Sequence, residues 1–163
     1  MVLLRPIATF LLCCSLVGLM AGCGEEGPTP EPIFFESLGT GQSATFDADT
    51  TEAVVRTEEE WAEIRDEMRP PQPFRSVDFA EDMVVVLARQ ARTGGYSVDV
   101  RRVYRLGEEV VVEYVLGVPE DDCITTRGET TPFRAVAFDR VDDAEVRFES
   151  RRQTYRCSPR GGL

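Results

Sequence analysis

Two kinds of chemically capable side chain stand out in these 163 residues: 29 Asp plus Glu, and five Cys. The sequence holds no His, and every basic residue is Arg. Without imidazole there is no Ser-His-Asp or Cys-His pair and no base tuned near neutral pH. Without Lys there is no Schiff base and no phosphate-loop lysine. A zinc site needs His or several Cys together, which the spacing does not offer. Only carboxylate catalysis survives, as in glycoside hydrolysis by paired acids. Most of these carboxylates read as solvated surface, so no catalytic residue is assigned and no enzyme activity is expected. The pairs Asp47/Asp49 and the run Glu120-Asp121-Asp122 could touch Ca²⁺, but neither has the spacing of an EF-hand loop. No metal or cofactor is expected.

The cysteines divide by position. Cys13, Cys14 and Cys23 fall in or at the end of an N-terminal leader, where Arg5 is the only charge before Cys23. An apolar run from Ile7 to Met20 follows, then Ala21-Gly22. That run is short for a transmembrane span, which needs roughly 20 apolar residues. The ending Leu19-Met20-Ala21-Gly22-Cys23 resembles the lipobox of bacterial lipoproteins. It departs from the commonest pattern in carrying Met20 where Leu is usual. Residues 1–22 are expected to be a signal peptide and Cys23 the lipidated residue. The protein would then be exported and held in the bacterial cell envelope by its lipid alone. Gly24, not Asp, follows Cys23, which favours the outer membrane or the cell surface.

Cys123 and Cys157 remain. In an oxidising compartment two cysteines read as one disulfide; two free buried thiols or an intermolecular bridge are the alternatives. Removing Arg5 with the leader takes the formal charge from −11 to −12. Such an acidic chain repels nucleic acid and anionic headgroups, so neither is an expected partner.

These groups need a scaffold. Residues 23–32 contain GEEGPTPEP, a Pro, Gly and Glu stretch unable to pack, with an extended reach of roughly 30 Å. Beyond it the apolar pattern is mostly of period two. Short strands are expected at Ile33–Glu36, Ser43–Phe46 and Ala53–Arg56. Met83–Ala88 is near-continuously apolar and predicts a strand buried on both faces. Tyr96, Val98 and Val100 alternate with polar residues until the phase breaks at Arg101-Arg102, a bulge or strand end. A turn at Leu106-Gly107-Glu108 leads into Val110, Val112, Tyr114, Leu116 and Val118 on one face. Phe133–Asp139 and Ala144–Glu149 predict a last hairpin. Thr57-Glu58-Glu59-Glu60 has capping-box spacing, and Trp61, Ile64 and Met68 share a helical face until Pro70-Pro71. The expected fold is mainly β (α+β): an antiparallel β-sandwich or partly open barrel with one packed helix. Residues 33–149 would form the domain and 150–163 a basic tail.

The ordered set Phe34-Phe35-Glu36-Ser37-Leu38, Gly41-Gln42-Ser43, Thr57-Glu58-Glu59-Glu60-Trp61, Val77-Asp78-Phe79, Met83–Leu87, Thr93-Gly94-Gly95-Tyr96-Ser97-Val98 and Thr130-Thr131-Pro132-Phe133 resembles the protease-complex-subunit PrcB family, in particular its C-terminal domain. The resemblance spans roughly 33–149. It implies a small exported, non-catalytic protein associated with a surface protease complex. The partner would be another envelope protein, possibly a protease. Cys123 and the basic tail carrying Cys157 depart from the family pattern. Read on their own chemistry, Thr93, Gly94, Gly95, Tyr96, Thr131, Pro132 and Phe133 are candidate partner-binding loops expected to lie together at one end of the domain, although both segments also read as turns that specify the fold. A second expectation is a loop-based peptidase inhibitor of the exported β-domain type, using the Thr-Gly loop.

Overall fold

A computed structural model describes residues 27–157. Residues 1–26, with the expected signal peptide, Cys23 and the start of the spacer, lie outside the described residues, as do 158–163. No described helix is long and apolar enough to cross a membrane.

In chain order the elements are β1 (Glu31–Ile33), β2 (Phe35–Gly41), β3 (Thr50–Val55), α1 (Glu58–Asp66), β4 (Asp82–Arg89), β5 (Ala91–Thr93), β6 (Ser97–Leu106), β7 (Glu109–Pro119), β8 (Arg127–Thr130), β9 (Phe133–Asp139) and β10 (Glu145–Tyr155). They make two four-stranded sheets, β1-β6-β7-β10 and β2-β9-β4-β3, with β5-β8 as a separate ribbon. The sheets stack as a sandwich, and among the described residues no closed barrel forms.

Strand β4 explains the layering. Its run DMVVVLAR is buried from Met83 to Ala88, and the period of two sends alternate side chains to opposite faces. Met83, Val85 and Leu87 enter the core between the sheets. There they meet Val98, Val100 and Val103 of β6, Val110, Val112, Tyr114 and Leu116 of β7, and Val136 and Phe138 of β9. Val84, Val86 and Ala88 enter a second core under the helix, with Leu38, Val55, Trp61, Met68, Phe133, Ala135 and Ala137. A strand paired on both sides and covered on both faces can be apolar throughout.

The helix follows its sequence signals. Thr57 Oγ1 accepts from Glu60 N at 3.2 Å, and Glu60 Oε2 accepts from Thr57 N at 3.2 Å. The capping box is therefore complete. Glu58, Glu59 and Glu60 occupy the first turn, where carboxylates favour the positive end of the helix dipole. Trp61 meets Phe74 edge-on, with ring centroids 5.1 Å apart.

Three expectations change. Ser43–Phe46 is no strand; it forms one bridge, Ala44 with Met68. Its hydrogen bonds go to the segment leaving the helix, through Thr45 N to Glu67 O and Arg69 N to Ser43 O. Pro70 and Pro71 stop that pairing, since neither has an N–H. The last hairpin is also absent. β9 is already flanked by β2 and β4, so β10 crosses to the other sheet and pairs with β7 in parallel. Arg140 Nη1 braces the crossing by donating to Phe79 O at 2.9 Å and Arg56 O at 3.1 Å. Arg56 Nη2 donates in turn to Ala144 O at 2.9 Å. The sandwich is thus antiparallel except for one pair. Finally, Ser150–Tyr155, expected in the tail, continues β10 to its end opposite Pro119. An edge strand with solvated side chains shows no apolar alternation for a sequence pattern to report.

Tyr114 sits in the inter-sheet core but turns its hydroxyl to Glu52 Oε1 of β3, 2.5 Å away. Burial first, and donation to that carboxylate second, push its phenol up to about 12. The unfolded phenol titrates near 10. Tyr114 therefore contributes stability that is intact below about pH 10 and lost as pH rises toward 12. Ultraviolet titration of phenolate is expected to show a late-ionising tyrosine that Tyr114→Phe removes. An unchanged titration curve in that variant would refute the assignment.

Candidate functional site

One end of the sandwich gathers several of the loop residues expected to bind a partner. Thr93 ends β5, and its carbonyl accepts from Thr130 Oγ1 at 3.0 Å. Gly94 N donates to Thr126 O at 3.0 Å. Gly95 has φ +88°, the left-handed region that glycine enters without a Cβ penalty. A Cβ there would stand 3.0 Å from Thr125 Cγ2 and 3.3 Å from Tyr155 Oη. The Tyr155 hydroxyl donates to Gly95 O. Gly94 is buried, Gly95 exposed, and Tyr96 half-buried before β6 begins. Gly95→Val is expected to lower the unfolding free energy by about 1–3 kcal/mol, from strain at positive φ. Urea denaturation measures this, and an unperturbed midpoint would count against the turn.

The second candidate segment begins beside the first, where Thr130 pairs with Ala91, and then turns inward. Thr131 N donates to Gln42 O at 3.0 Å, and Pro132 O accepts from Arg89 N at 3.1 Å. Thr131 lines a shallow polar depression of about 430 Å³ with Asp49, Gln90, Arg92 and Glu129. Pro132 and Phe133 are fully buried. Phe133 cannot serve as a rim contact, because its ring packs into the core beneath the helix, 6.2 Å from that of Phe74. The surface part of the candidate set reduces to Thr93, Gly95, Tyr96 and Thr131.

The loop between β7 and β8 completes this end. Cys123 and Cys157 are bonded, with Cα atoms 5.3 Å apart. Glu120 N donates to Tyr155 O at 3.1 Å, and Arg156 Nε reaches Glu120 Oε2 at 3.3 Å. Ile124, beside the disulfide, is 97% exposed. Sequence reasoning missed Ile124 and Tyr155 as members of this end; the position of Ile124 next to Cys123 was the available signal. A single exposed aliphatic is ordinary, but this one stands on a covalently fixed loop. Among the described residues no three carboxylate or thiol groups converge as metal ligands would. Asp47, Asp49, Asp121 and Asp122 are exposed.

A second surface lies on the outer face of the first sheet. Arg102 of β6 grips Glu113 of β7 through both carboxylate oxygens, at 2.7 and 2.8 Å. These hydrogen bonds hold the Glu113 carboxyl below its ordinary value. The Arg102 guanidinium also lies 5.7 Å from the Tyr104 ring centroid. Arg147 of β10 bonds Glu109 at 3.0 Å and also pairs with Glu149. Such exposed pairs contribute little stability, but they hold the long side chains flat against the sheet.

A family model described as PrcB C-terminal matches residues 83–139. The resemblance seen in the sequence is thus borne out from β4 through β9, about a third of the chain. Helix α1, β1–β3 and β10 lie outside the match. No curated protein and no solved structure matches the chain.

Proposed function

We propose that this chain is a lipid-anchored module of the bacterial cell envelope that binds or stabilises another exported protein, with a surface protease as the favoured partner class. The observation that carries this is the PrcB C-terminal match over β4 to β9, the strands that build both cores and present the Thr93–Tyr96 turn. A non-catalytic role agrees with the side chains available, since no His or Lys occurs in the sequence. A disulfide at the working end fits an oxidising compartment. Lipidation at Cys23 and the 23–32 spacer would keep the domain close to a membrane. The inhibitor alternative gains no support from the turn itself, whose backbone bonds are largely committed within the domain.

Crosslinking of the lipidated protein in its native membrane, followed by affinity capture and mass spectrometry, tests this. Stoichiometric recovery of one exported protease is the expected result. Cys23→Ala is expected to leave an unanchored precursor and to abolish that recovery. Unchanged membrane retention of the variant would refute the lipid anchor, and repeated recovery of no specific protein would refute the partner role.

A further inference from the structure

The free long edge of the first sheet belongs to β10. Strand β7 covers one side of it along its whole length, from Glu145 opposite Glu109 to Tyr155 opposite Pro119. Among the described residues no strand covers the other side. Alternate residues there hold backbone N–H and C=O groups without a sheet partner, a template for one more strand. Proteins usually blunt such an edge by shortness, proline, a bulge or charge. Strand β10 runs for 11 residues. It contains no Pro, and its register against β7 has no shift.

Charge is the device that remains, and beyond Glu149 it has one sign. From Ser150 to Cys157 the sequence is SRRQTYRC, with Arg151, Arg152 and Arg156 and no carboxylate, inside a chain of net charge −11. Arg151 and Arg152 share a surface depression of about 580 Å³ with Arg101 and Arg102 of β6. Glu113 is the single carboxylate lining it, and Arg102 already holds that group at 2.7 Å. All four arginines are exposed. An open strand edge and a concentrated positive field therefore coincide on a protein that is otherwise acidic.

We propose that the β10 edge is a docking strip for an acidic, extended segment of a partner protein. The segment adds to the first sheet as a fifth strand and sets its carboxylates beside Arg151 and Arg152 of β10. Main-chain bonds supply the register and the arginines supply selection by charge. A second copy of this chain fits less well, because it brings the same arginines forward on an equally acidic body. The proposal rests on the interaction-module reading and specifies the chemistry of the partner.

The test uses the full chain in detergent and a fluorescein-labelled peptide of alternating Glu and Thr, followed by anisotropy at low salt. Saturable binding is expected. It should weaken at least tenfold in the double variant R151E/R152E, which alters only exposed side chains and whose folding is checked by its melting curve. The same peptide N-methylated at alternate backbone nitrogens should also lose at least tenfold, because it cannot form the strand bonds. A Lys and Thr counterpart should not bind. Failure of the Glu peptide to bind, equal binding of the methylated peptide, or equal binding of the Lys peptide each overturns the proposal. Undiminished capture of an exported partner by R151E/R152E would overturn the β10 strip while leaving the module's partner role in place.

Discussion

Phe133→Ala is expected to lower the unfolding free energy by about 3–5 kcal/mol, the range for emptying a buried aromatic site. The ring is 0% exposed. It lies within 6.2 Å of the Phe74 ring, which in turn stacks edge-on against Trp61. Its edge is so close to the neighbouring strand that a Cβ on Gly41 would stand 2.5 Å from Cε1. The backbone around it is rigid, with β9 paired on both sides, so the cavity has little means of collapsing. Single domains are stable by roughly 5–15 kcal/mol, and the variant is expected to be partly unfolded at 37 °C. Urea denaturation followed by tryptophan fluorescence measures this directly, because Trp61 reports on the same cluster. A loss under about 1 kcal/mol would show that the ring does not hold the second core together. The result also matters for partner binding. A Phe133 variant that fails to bind would report the loss of the fold, so binding tests belong at Tyr96 or Thr131.

Breaking the disulfide is expected to have the next largest effect. Cys123 and Cys157 are separated by 34 residues. Closing a loop of that size contributes about 3–4 kcal/mol in the chain-entropy model, equivalent to roughly 10 °C in Tm for a domain of this size. Cys157→Ser should show this loss in thermal unfolding, and reductant should reproduce it in the parent chain without adding to it in the variant. The effect should be local as well as global. Tyr155 bonds Gly95 and Glu120 from the end of β10, so amide exchange should quicken at Glu120 and along the end of β10 while β4 stays protected. Equal melting temperatures with and without reductant would sink the idea that the bond holds this end together.

Much of the architecture is legible in residue order where the signal is local. The capping box at Thr57 and Glu60, the two-faced burial of Met83–Ala88, the register shift between Val100 and Arg102, and the turn at Gly107 all follow from side chains within a few positions of one another. The Cys123–Cys157 pairing is legible by count. Partner choice between strands is not. Period two says which face a residue takes, but it does not say which neighbour a strand takes. Ala144–Glu149 therefore reads as the return of a hairpin although β9 has no free side to offer. Phe133 misleads for a related reason. It follows Thr130-Thr131-Pro132, a turn by composition, and nothing local reveals that the chain dives beneath α1 at that point. Ser150–Tyr155 hides as a strand because, Tyr155 apart, its side chains are solvated and its backbone makes the sheet contacts.

The parallel β7–β10 pair sets an order of assembly. β10 is the last element of the described chain, yet it is one of the two neighbours of β7, whose Val110, Val111 and Val112 are fully buried. Strands β8 and β9 must leave for the ribbon and the other sheet before β10 can return. While the chain folds, therefore, the most apolar strand of the first sheet waits with one side open until β10 arrives. A chain cut short before Glu145 would hold that side open permanently, inviting self-association along β7. Strand β10 thus acts as the seal on the fold, and the Cys123–Cys157 bond just beyond it as the latch.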